Sequence, residues 1–501
     1  MRRSARIQSQ TVESASNNSK GTGVASSAAV RRRNSQPVAR RRTRGDVDRP
    51  VQQKESSAAE IVLKPRTSAN RKSKRARNDT QDDVLPSLRR SARIFARSHC
   101  PIHWLPSELL SEIFLHFLEL INGGFFFVNP IPKLDATITR VCKKWRNVAY
   151  GTPRLWRHLV PPGGGCDQYL RRYVPLTGQG PFYASGLKAR LGAGRFLEKL
   201  RPHSHRLRGL ILPGACDEFC LPTPIAAPNL RKAYLLMSAR APLDTIAPLA
   251  FLEDVSRLSK LYIHLQLVYA QVISLPPMGS LTELTLYFCR CAIPSVRGPL
   301  DQCSQTLRKL KVTVALCEAR PAAANAVNLP ALTSIELEFD AAWVLELISA
   351  PNLEKLKLDG PAPDSPALLL AYLARVPSMS INLHWLDFAT LHTEEWDADT
   401  DSAILLECFA QLKELETMRF YAFPEHCRIF GPLTVDSEGD ALPFLPNLRV
   451  GVFGRSDFRE PAIFLEAYKM FAESRTRAHL VGGTVVPAAQ ISRDYQEIYL
   501  L

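Results

Sequence analysis

Apolar side chains recur in one short pattern along most of the chain after residue 200. The segment LTELTLYFC, which begins at Leu281, has leucines at its first, fourth and sixth positions. Its second half alternates between apolar and polar residues, and a period of two predicts a strand that buries one face. Related segments begin at Leu207, Leu230, Leu258, Leu307, Leu332 and Leu353, so the intervals between successive starts are 21 to 28 residues. The pattern therefore predicts short strands at a regular spacing.

Segments with a helical distribution of apolar residues lie between and beyond these strands. The clearest of them span 341–349, 365–376, 401–412 and 460–471. A single strand and helix cannot bury their own apolar faces, whereas stacked units can, with a curved parallel sheet inside and helices outside. The unit length is typical of leucine-rich repeats, which use about 20–29 residues each. The sequence therefore predicts an α/β solenoid of irregular leucine-rich repeats over residues 166–501.

A doubly wound parallel sheet around a cofactor is the rival fold for strands that alternate with helices. That fold needs a glycine-rich turn of the form G-x-G-x-x-G between a strand and a helix. The segment LGAGRF at 191–196 is a weak match, and no predicted strand precedes it. The sequence therefore favours the solenoid.

Two amphipathic patterns precede the repeats and predict a small helical domain over residues 99–160. In WLPSELLSEIFLHFLEL, Pro106 suits the first turn of a helix, and the apolar residues after it sweep about half of the circumference. A second pattern, over residues 138–149, has apolar residues three and four apart, with basic residues opposite them. The Gly-Thr-Pro at 151–153 ends this pattern, because glycine and proline interrupt helices.

The N-terminal segment differs from the rest of the chain in its charge. Residues 1–100 hold 24 Lys and Arg against 8 Asp and Glu, which accounts for the whole net charge of +16 and leaves 40 of each sign elsewhere. This segment is rich in Ser, Arg, Gln and Asn, so it cannot bury enough apolar area to offset its chain entropy. We therefore expect a disordered basic tail over residues 1–98.

The helical domain resembles the F-box in four spaced features. They are Leu-Pro at 105–106, Glu-Leu-Leu-x-x-Ile in the first helix, Val-Cys-x-x-Trp at 141–145, and Leu-Trp at 155–156. The segment 121–134 lengthens the usual link between the first two helical parts. The order of basic tail, F-box and irregular repeats is similar to that of the large fungal F-box/leucine-rich-repeat family. The resemblance implies a three-helix F-box within residues 99–160.

That resemblance also implies a partner. A module this short has a small core, and part of its apolar surface needs another protein to cover it. An F-box binds a Skp-type adaptor, which joins it to a cullin-based ubiquitin ligase. The resemblance places seven residues against the adaptor: Leu105, Pro106, Leu109, Leu110, Ile113, Val141 and Cys142. It places five in the F-box core: Phe114, Phe117, Trp145, Leu155 and Trp156.

Basic clusters in the tail resemble nuclear-import signals, which are short Lys and Arg runs read by an import receptor. The residues concerned are Arg31, Arg32, Arg33, Arg40, Arg41, Arg42, Arg71, Lys72, Lys74 and Arg75. The same clusters suit the phosphates of nucleic acid, and a solvated tail without a partner is the third interpretation. We favour import over nucleic-acid binding, which predicts a protein of the nucleus, the cytoplasm or both.

No pattern in the sequence predicts an active site. A nucleophile motif such as G-x-S-x-G does not occur, and His203 and His205 with Cys216 and Cys220 have the wrong spacing for zinc. The 11 cysteines are odd in number and no signal peptide opens the chain, which favours free thiols in a reducing compartment. No apolar run reaches the roughly 18 residues of a membrane span. We therefore expect neither enzyme activity nor a metal, a cofactor or a membrane contact.

Together these features predict a substrate-recognition subunit of a Skp/cullin/F-box ubiquitin ligase. The F-box would bind the adaptor, and through it the cullin, while the repeats would bind a client protein. The alternative, from another class, is a nuclear scaffold that binds nucleic acid through its tail and is not assembled into a ligase.

Overall fold

A computed structural model describes most of the chain after residue 101. The described residues are 102, 104–122, 131–162, 165–189, 192–219, 224–238, 247–266, 273–289, 296–315, 325–360, 364–390, 398–422, 428–435, 444–455, 462–481 and 484–494. All of them belong to one compact unit, Asp82–Leu501. The predicted disordered tail lies outside the described residues, as does most of the link at 121–134.

One sheet of 13 strands runs through the described residues, and every neighbouring pair is parallel. Its strands lie in the sheet in chain order: β1 His158–Leu159, β2 Phe182–Ser185, β3 Leu207–Ala215, β4 Lys232–Ser238, β5 Lys260–Gln266, β6 Glu283–Phe288, β7 Lys309–Val314, β8 Ser334–Phe339, β9 Lys355–Gly360, β10 Trp385–Thr390, β11 Thr417–Ala422, β12 Val450–Arg455 and β13 Gln490–Asp494. A doubly wound sheet reverses its strand order at a switch point, and this sheet has no reversal. The predicted α/β fold with a parallel sheet is confirmed, in the order of a solenoid-like repeat.

The predicted leucines set the register of the strands. Strand β4 begins two residues after Leu230, and β5 to β9 each begin two residues after their own predicted leucine. Those leading leucines are buried, and so are alternate residues within the strands, such as Ala233, Leu235 and Met237 in β4. Each strand therefore presents one apolar face to the core and one polar face outward, as the alternation predicts.

Twelve helices lie in the described residues. They are α1 Ser107–Asn122, α2 Ile131–Ile138, α3 Lys143–Tyr150, α4 Cys166–Tyr173, α5 Ala193–Leu200, α6 Arg297–Cys303, α7 Val344–Leu347, α8 Ser365–Arg375, α9 Met379–Asn382, α10 Ala398–Gln411, α11 Phe430–Leu433 and α12 Ala462–Arg475. The helices predicted at 365–376, 401–412 and 460–471 are confirmed as α8, α10 and α12. The segment 341–349 is helical only in part, because it ends in a two-residue strand that pairs with Val327–Asn328.

A single apolar core joins the helical segment to the repeats. It extends without interruption from Leu110 in α1 to Phe471 in α12. Burying one leucine or phenylalanine contributes roughly 1.5–3 kcal/mol, so the stacked leucine faces account for much of the stability. The helices α1 to α3 therefore cover one end of this core, before β1.

The far end of the core depends on a buried arginine. Arg475, at the end of α12, is fully buried, and burial lowers its pKa to about 10. Its guanidinium donates to the carbonyl oxygens of Leu433 at 3.0 and 3.2 Å, Phe444 at 2.5 Å and Leu445 at 3.1 Å. These carbonyls belong to two segments that do not pair with each other, so the side chain ties three pieces of chain together.

Replacing Arg475 with methionine should lower the free energy of unfolding by about 3 kcal/mol. The substitution leaves three carbonyls without their donor, and each buried unsatisfied group costs about 1–3 kcal/mol. Urea unfolding followed by circular dichroism measures the change. Arg477→Met is the matched control, because Arg477 is exposed. Equal stability of the two variants would contradict this role.

Candidate functional site

The predicted helix over residues 138–149 is wrong in one respect: only its part from Lys143 onward belongs to one helix, α3, and residues 139–142 are not helical. Helix α2 ends at Ile138, and α3 begins at Lys143. Cys142 lies between them in an extended conformation, and its Sγ accepts a hydrogen bond from the Trp145 backbone N–H at 3.4 Å. The Val-Cys-x-x-Trp motif therefore has a local explanation, in which the cysteine caps the helix that carries the tryptophan.

Contacts between distant residues hold the three helices together. The Phe114 and Trp145 rings pack with their centroids 5.0 Å apart. Lys144 Nζ donates to the Leu105 carbonyl at 2.8 Å, which brings the start of α3 to the start of α1. Trp156 Nε1–H donates to the Ala149 carbonyl at 2.8 Å, as a buried indole requires. Residues 141–142 are thereby held near residues 105–106.

The five predicted core residues differ in burial. Phe114, Leu155 and Trp156 are fully buried, whereas Phe117 and Trp145 are half-buried and pack against the core from its edge. Trp145 and Trp156 thus both serve packing within this chain.

Asp135 in α2 attaches this helical segment to the repeats. Its carboxylate accepts hydrogen bonds from the Tyr173 hydroxyl at 2.7 Å and from Arg172 Nη2 at 2.8 Å, both in α4. It also accepts from the Tyr150 hydroxyl at 3.3 Å and from Thr139 Oγ1 at 3.0 Å. Burial and the bond to Asp135 raise the pKa of Tyr173, so this hydroxyl stays protonated as a donor.

Helix α1 carries apolar residues on two sides. Leu110, Phe114 and Leu118 face the core and are buried. Leu109, Ile113 and Leu120 are 52%, 45% and 70% exposed. At 100° per residue these three project within about 40° of one another. We call these three residues, with Val141, which is 53% exposed in the turn before α3, the apolar stripe.

Most of the predicted adaptor contacts are accessible, with one exception. Pro106, Leu109, Ile113 and Val141 are exposed, and Leu105 and Cys142 are half-buried. Leu110 is fully buried, because it projects about 100° away from Leu109 onto the core side of α1. The assignment of Leu110 to the adaptor contact is therefore wrong, because this side chain packs in the core of its own chain.

The sequence prediction missed two exposed apolar residues. Leu120 lies seven residues after Ile113 on the same side of α1, and Trp104, just before α1, is 72% exposed. Ile113 follows Leu109 by four residues, and Leu120 follows Ile113 by seven. This helical spacing is the signal that identifies Leu120. The motif stopped at Ile113, so Leu120 was not assigned.

The polar face of the sheet, which we call the open face, has an aromatic part on β4 to β6. Tyr234 and Tyr262 lie with ring centroids 5.7 Å apart, and His264 meets Tyr287 at 4.5 Å. His264 Nε2 lies 3.1 Å from Cys289 Sγ. Partial burial raises the pKa of the three tyrosines and lowers that of His264, which keeps these groups neutral.

Further along the open face, β7 to β9 carry paired charges. Lys311 Nζ donates to Glu338 at 2.5 Å, and Thr313 Oγ1 donates to the same carboxylate at 2.9 Å. Lys357 lies 3.7 Å from Glu338 and 3.0 Å from Asp359. Burial opposes ionisation of Glu338, but the bonds and charges of these lysines outweigh it and lower its pKa. The open face thus changes from aromatic to ionic along the solenoid.

The described residues hold no group of three or more His, Cys, Asp or Glu side chains that could ligate a metal ion. In the same part of the chain, no helix has both the length and the apolar character needed to cross a bilayer. The residues predicted for nuclear import lie outside the described residues.

No protein-family model matches this chain, and no curated protein matches it.

Substituting Asp135 with alanine should loosen α2 and α3 from α4. The change leaves the Tyr173 hydroxyl without its acceptor and removes an ion pair, which costs about 2 kcal/mol. Hydrogen exchange measured by mass spectrometry should show faster exchange in residues 131–150 and unchanged exchange in β6 to β9.

Asp254→Ala is the control for this substitution, because Asp254 is exposed and makes no ion pair with any described residue. If exchange in residues 131–150 is as slow in Asp135→Ala as in Asp254→Ala, the carboxylate does not hold the helices in place.

Proposed function

We propose that this chain is a substrate-recognition subunit of a Skp/cullin/F-box ubiquitin ligase. Helices α1 to α3 bind the Skp-type adaptor, and the open face of the sheet binds a client protein. The observation that carries the proposal is the apolar stripe, which leaves large apolar side chains in water beside a core that is already complete.

The stripe supports a binding role because packing within this chain does not explain it. Helix α1 already buries Leu110, Phe114 and Leu118, which would suffice to attach an amphipathic helix to a core. Adding Leu109, Ile113 and Leu120 in water gives up the free energy of their burial. Several exposed large apolar side chains on one side of a helix are typical of an interface.

Three of the four residues of the stripe belong to the sequence motif. Leu109 and Ile113 belong to the Glu-Leu-Leu-x-x-Ile segment, and Val141 opens the Val-Cys-x-x-Trp segment. The bond from Lys144 to the Leu105 carbonyl brings these two segments together. Two separate parts of the sequence motif thus contribute to one surface.

The open face supports the client-binding role. Its aromatic part offers large, half-buried rings with polar tips, which are enriched at protein interfaces. Its ionic part offers charges that fix the register of a partner. In this proposal the chain performs no chemistry, because ubiquitin transfer follows from holding the client at high effective concentration near the conjugating enzyme.

Replacing both Leu109 and Ile113 with alanine should weaken adaptor binding at least 30-fold. Each buried apolar anchor of an interface contributes about 2 kcal/mol, and 1.4 kcal/mol is a factor of ten. Titration calorimetry of the purified chain with a Skp-type adaptor measures the affinity.

The matched control removes the same two side-chain types elsewhere, as Leu465→Ala with Ile381→Ala, since both residues are exposed. It should bind the adaptor as the unchanged chain does. Full adaptor affinity in the Leu109/Ile113 variant would exclude the F-box assignment.

For localisation we propose that the tail clusters direct nuclear import. Replacing the 12 Lys and Arg residues of 31–44 and 71–77 with glutamine should abolish nuclear accumulation of a fluorescent fusion. Replacing the arginines with lysine keeps the charge and should preserve accumulation. An unchanged distribution of the glutamine variant would exclude import through these clusters.

A further inference from the structure

A basic groove lies beside the helical segment, apart from the open face and the apolar stripe. It consists of two adjacent cavities that share Gln179 and Arg206. The five bases that line it are Arg171, Lys199, Arg206, Arg208 and Arg231, and His203 and His205 add two imidazoles.

The charge of this groove departs from the rest of the folded chain. Residues 101–501 hold 40 basic and 40 acidic side chains, so they are neutral as a whole. In the groove, five bases face one acid, Asp167, which pairs with Lys199 at 3.1 Å. The groove therefore has an excess of positive charge, although residues 101–501 as a whole are neutral.

Arg206 forms a fixed centre between the two cavities. Its guanidinium donates to the Gly180 carbonyl at 3.0 and 3.2 Å and to Thr177 Oγ1, and it lies over the Phe182 ring at 5.4 Å. Burial lowers the pKa of Arg206, and burial together with this nearby charge lowers the pKa of His203. The Arg206 guanidinium is thus fixed in a partly desolvated position, where a bound anion would stabilise its charge.

Arg208 and Arg231 form the outer part of the groove. They are neighbours in adjacent repeats, because the Arg231 N–H, just before β4, donates to the carbonyl of Arg208 in β3 at 2.9 Å, and adjacent strands lie about 4.8 Å apart. Neither guanidinium makes a hydrogen bond or an ion pair with any described residue. Two guanidinium forks that line one cavity suit a chain that carries several carboxylates.

The other residues of the groove favour a peptide over a nucleic acid. Among the described residues, neither cavity is lined by Phe, Tyr or Trp, so the stacking platforms that single-stranded nucleic acids use are absent from this lining. The lining instead includes Leu170, Val174, Pro175 and Pro181, which offer apolar contact to side chains.

We propose that the basic groove binds an acidic protein segment, with Arg206, Arg208 and Arg231 holding successive carboxylates. In calling that segment part of a client, the inference rests on the proposed function. The groove adjoins α4, which Asp135 ties to α2, so a segment bound there lies next to the proposed adaptor-binding helices.

The test uses the full chain with the 12 tail bases of 31–44 and 71–77 replaced by glutamine, which halves the number of competing basic side chains in the tail. The probe is a fluorescein-labelled octaglutamate peptide, and binding is measured by fluorescence anisotropy. Arg208→Glu with Arg231→Glu should weaken binding at least about tenfold, since exposed charge pairs contribute up to about 1 kcal/mol each and reversal adds repulsion.

The matched control is Arg308→Glu with Lys309→Glu, which makes the same charge change at exposed positions of another repeat. It should change affinity less than twofold. Arg208→Gln with Arg231→Gln should give an intermediate loss, and equal thermal unfolding midpoints check that each variant folds. Equal weakening by the two charge reversals, or no weakening by the first, would overturn the proposal.

A photoreactive group on the same peptide maps the contact. Cross-links within residues 166–231 support the groove, whereas cross-links only in residues 1–98 overturn it. An oligothymidine that binds at least as tightly as the peptide and loses affinity in the Arg208/Arg231 variant would indicate a nucleic-acid site instead.

This result is separable from the proposed function. Adaptor affinity of the Arg208/Arg231 variant should stay unchanged, and peptide affinity of the Leu109/Ile113 variant should stay unchanged. A failure in one assay therefore leaves the other proposal standing.

Discussion

The parallel pairing of each strand with the next is the constraint on which this structure depends. Each strand of the sheet buries alternate apolar side chains against its neighbours, and no strand can bury that face alone. A stack of this kind must end somewhere, and both ends expose apolar surface unless something covers them. At the first end α1 to α3 provide the cover, and at the last the carbonyls around α12 are satisfied by the buried Arg475.

Because the stack of strands must be covered at its end, α1 has a buried side and an exposed apolar side. The core side of α1 closes the solenoid through Leu110, Phe114 and Leu118, and the other side carries the apolar stripe. A helix that only closed the stack would gain by having polar residues at Leu109 and Ile113. The exposed residues therefore point to a second contact outside this chain, which is the physical basis of the proposed adaptor interface.

The sequence predicts the middle of the fold better than its ends. The L-x-x-L-x-L pattern located β3 to β9 because leucine spacing and alternation are both strong there. It did not locate β1, β2, β10 or β13, since their pairing depends on neighbouring strands more than on their own pattern.

The candidate site was predictable as a set of exposed and buried helix faces, but its details were not. Helical spacing alone does not say which side of α1 faces the core, so Leu110 and Leu109 looked alike in the sequence. The break before α3 depends on Cys142, which caps that helix. In the sequence, Cys142 occupies an apolar position that a continuous helix would also have, so the spacing does not reveal the break. The basic groove combines Arg171 in α4 with Arg208 in β3 and Arg231 before β4, and only the folded chain shows that these residues line adjacent cavities.

The connections between these surfaces determine how the proposed ligase subunit would hold its proposed client. Arg172 and Tyr173 in α4 bind Asp135 in α2, and the preceding residue, Arg171, lines the basic groove. The helical segment that carries the stripe is therefore joined to the groove through bonded side chains of α2 and α4. A short, bonded connection restricts the relative motion of two bound partners, which raises the effective concentration of one near the other. A client anchored at this end of the solenoid would thus be positioned more narrowly than one held only on the distant strands of the open face.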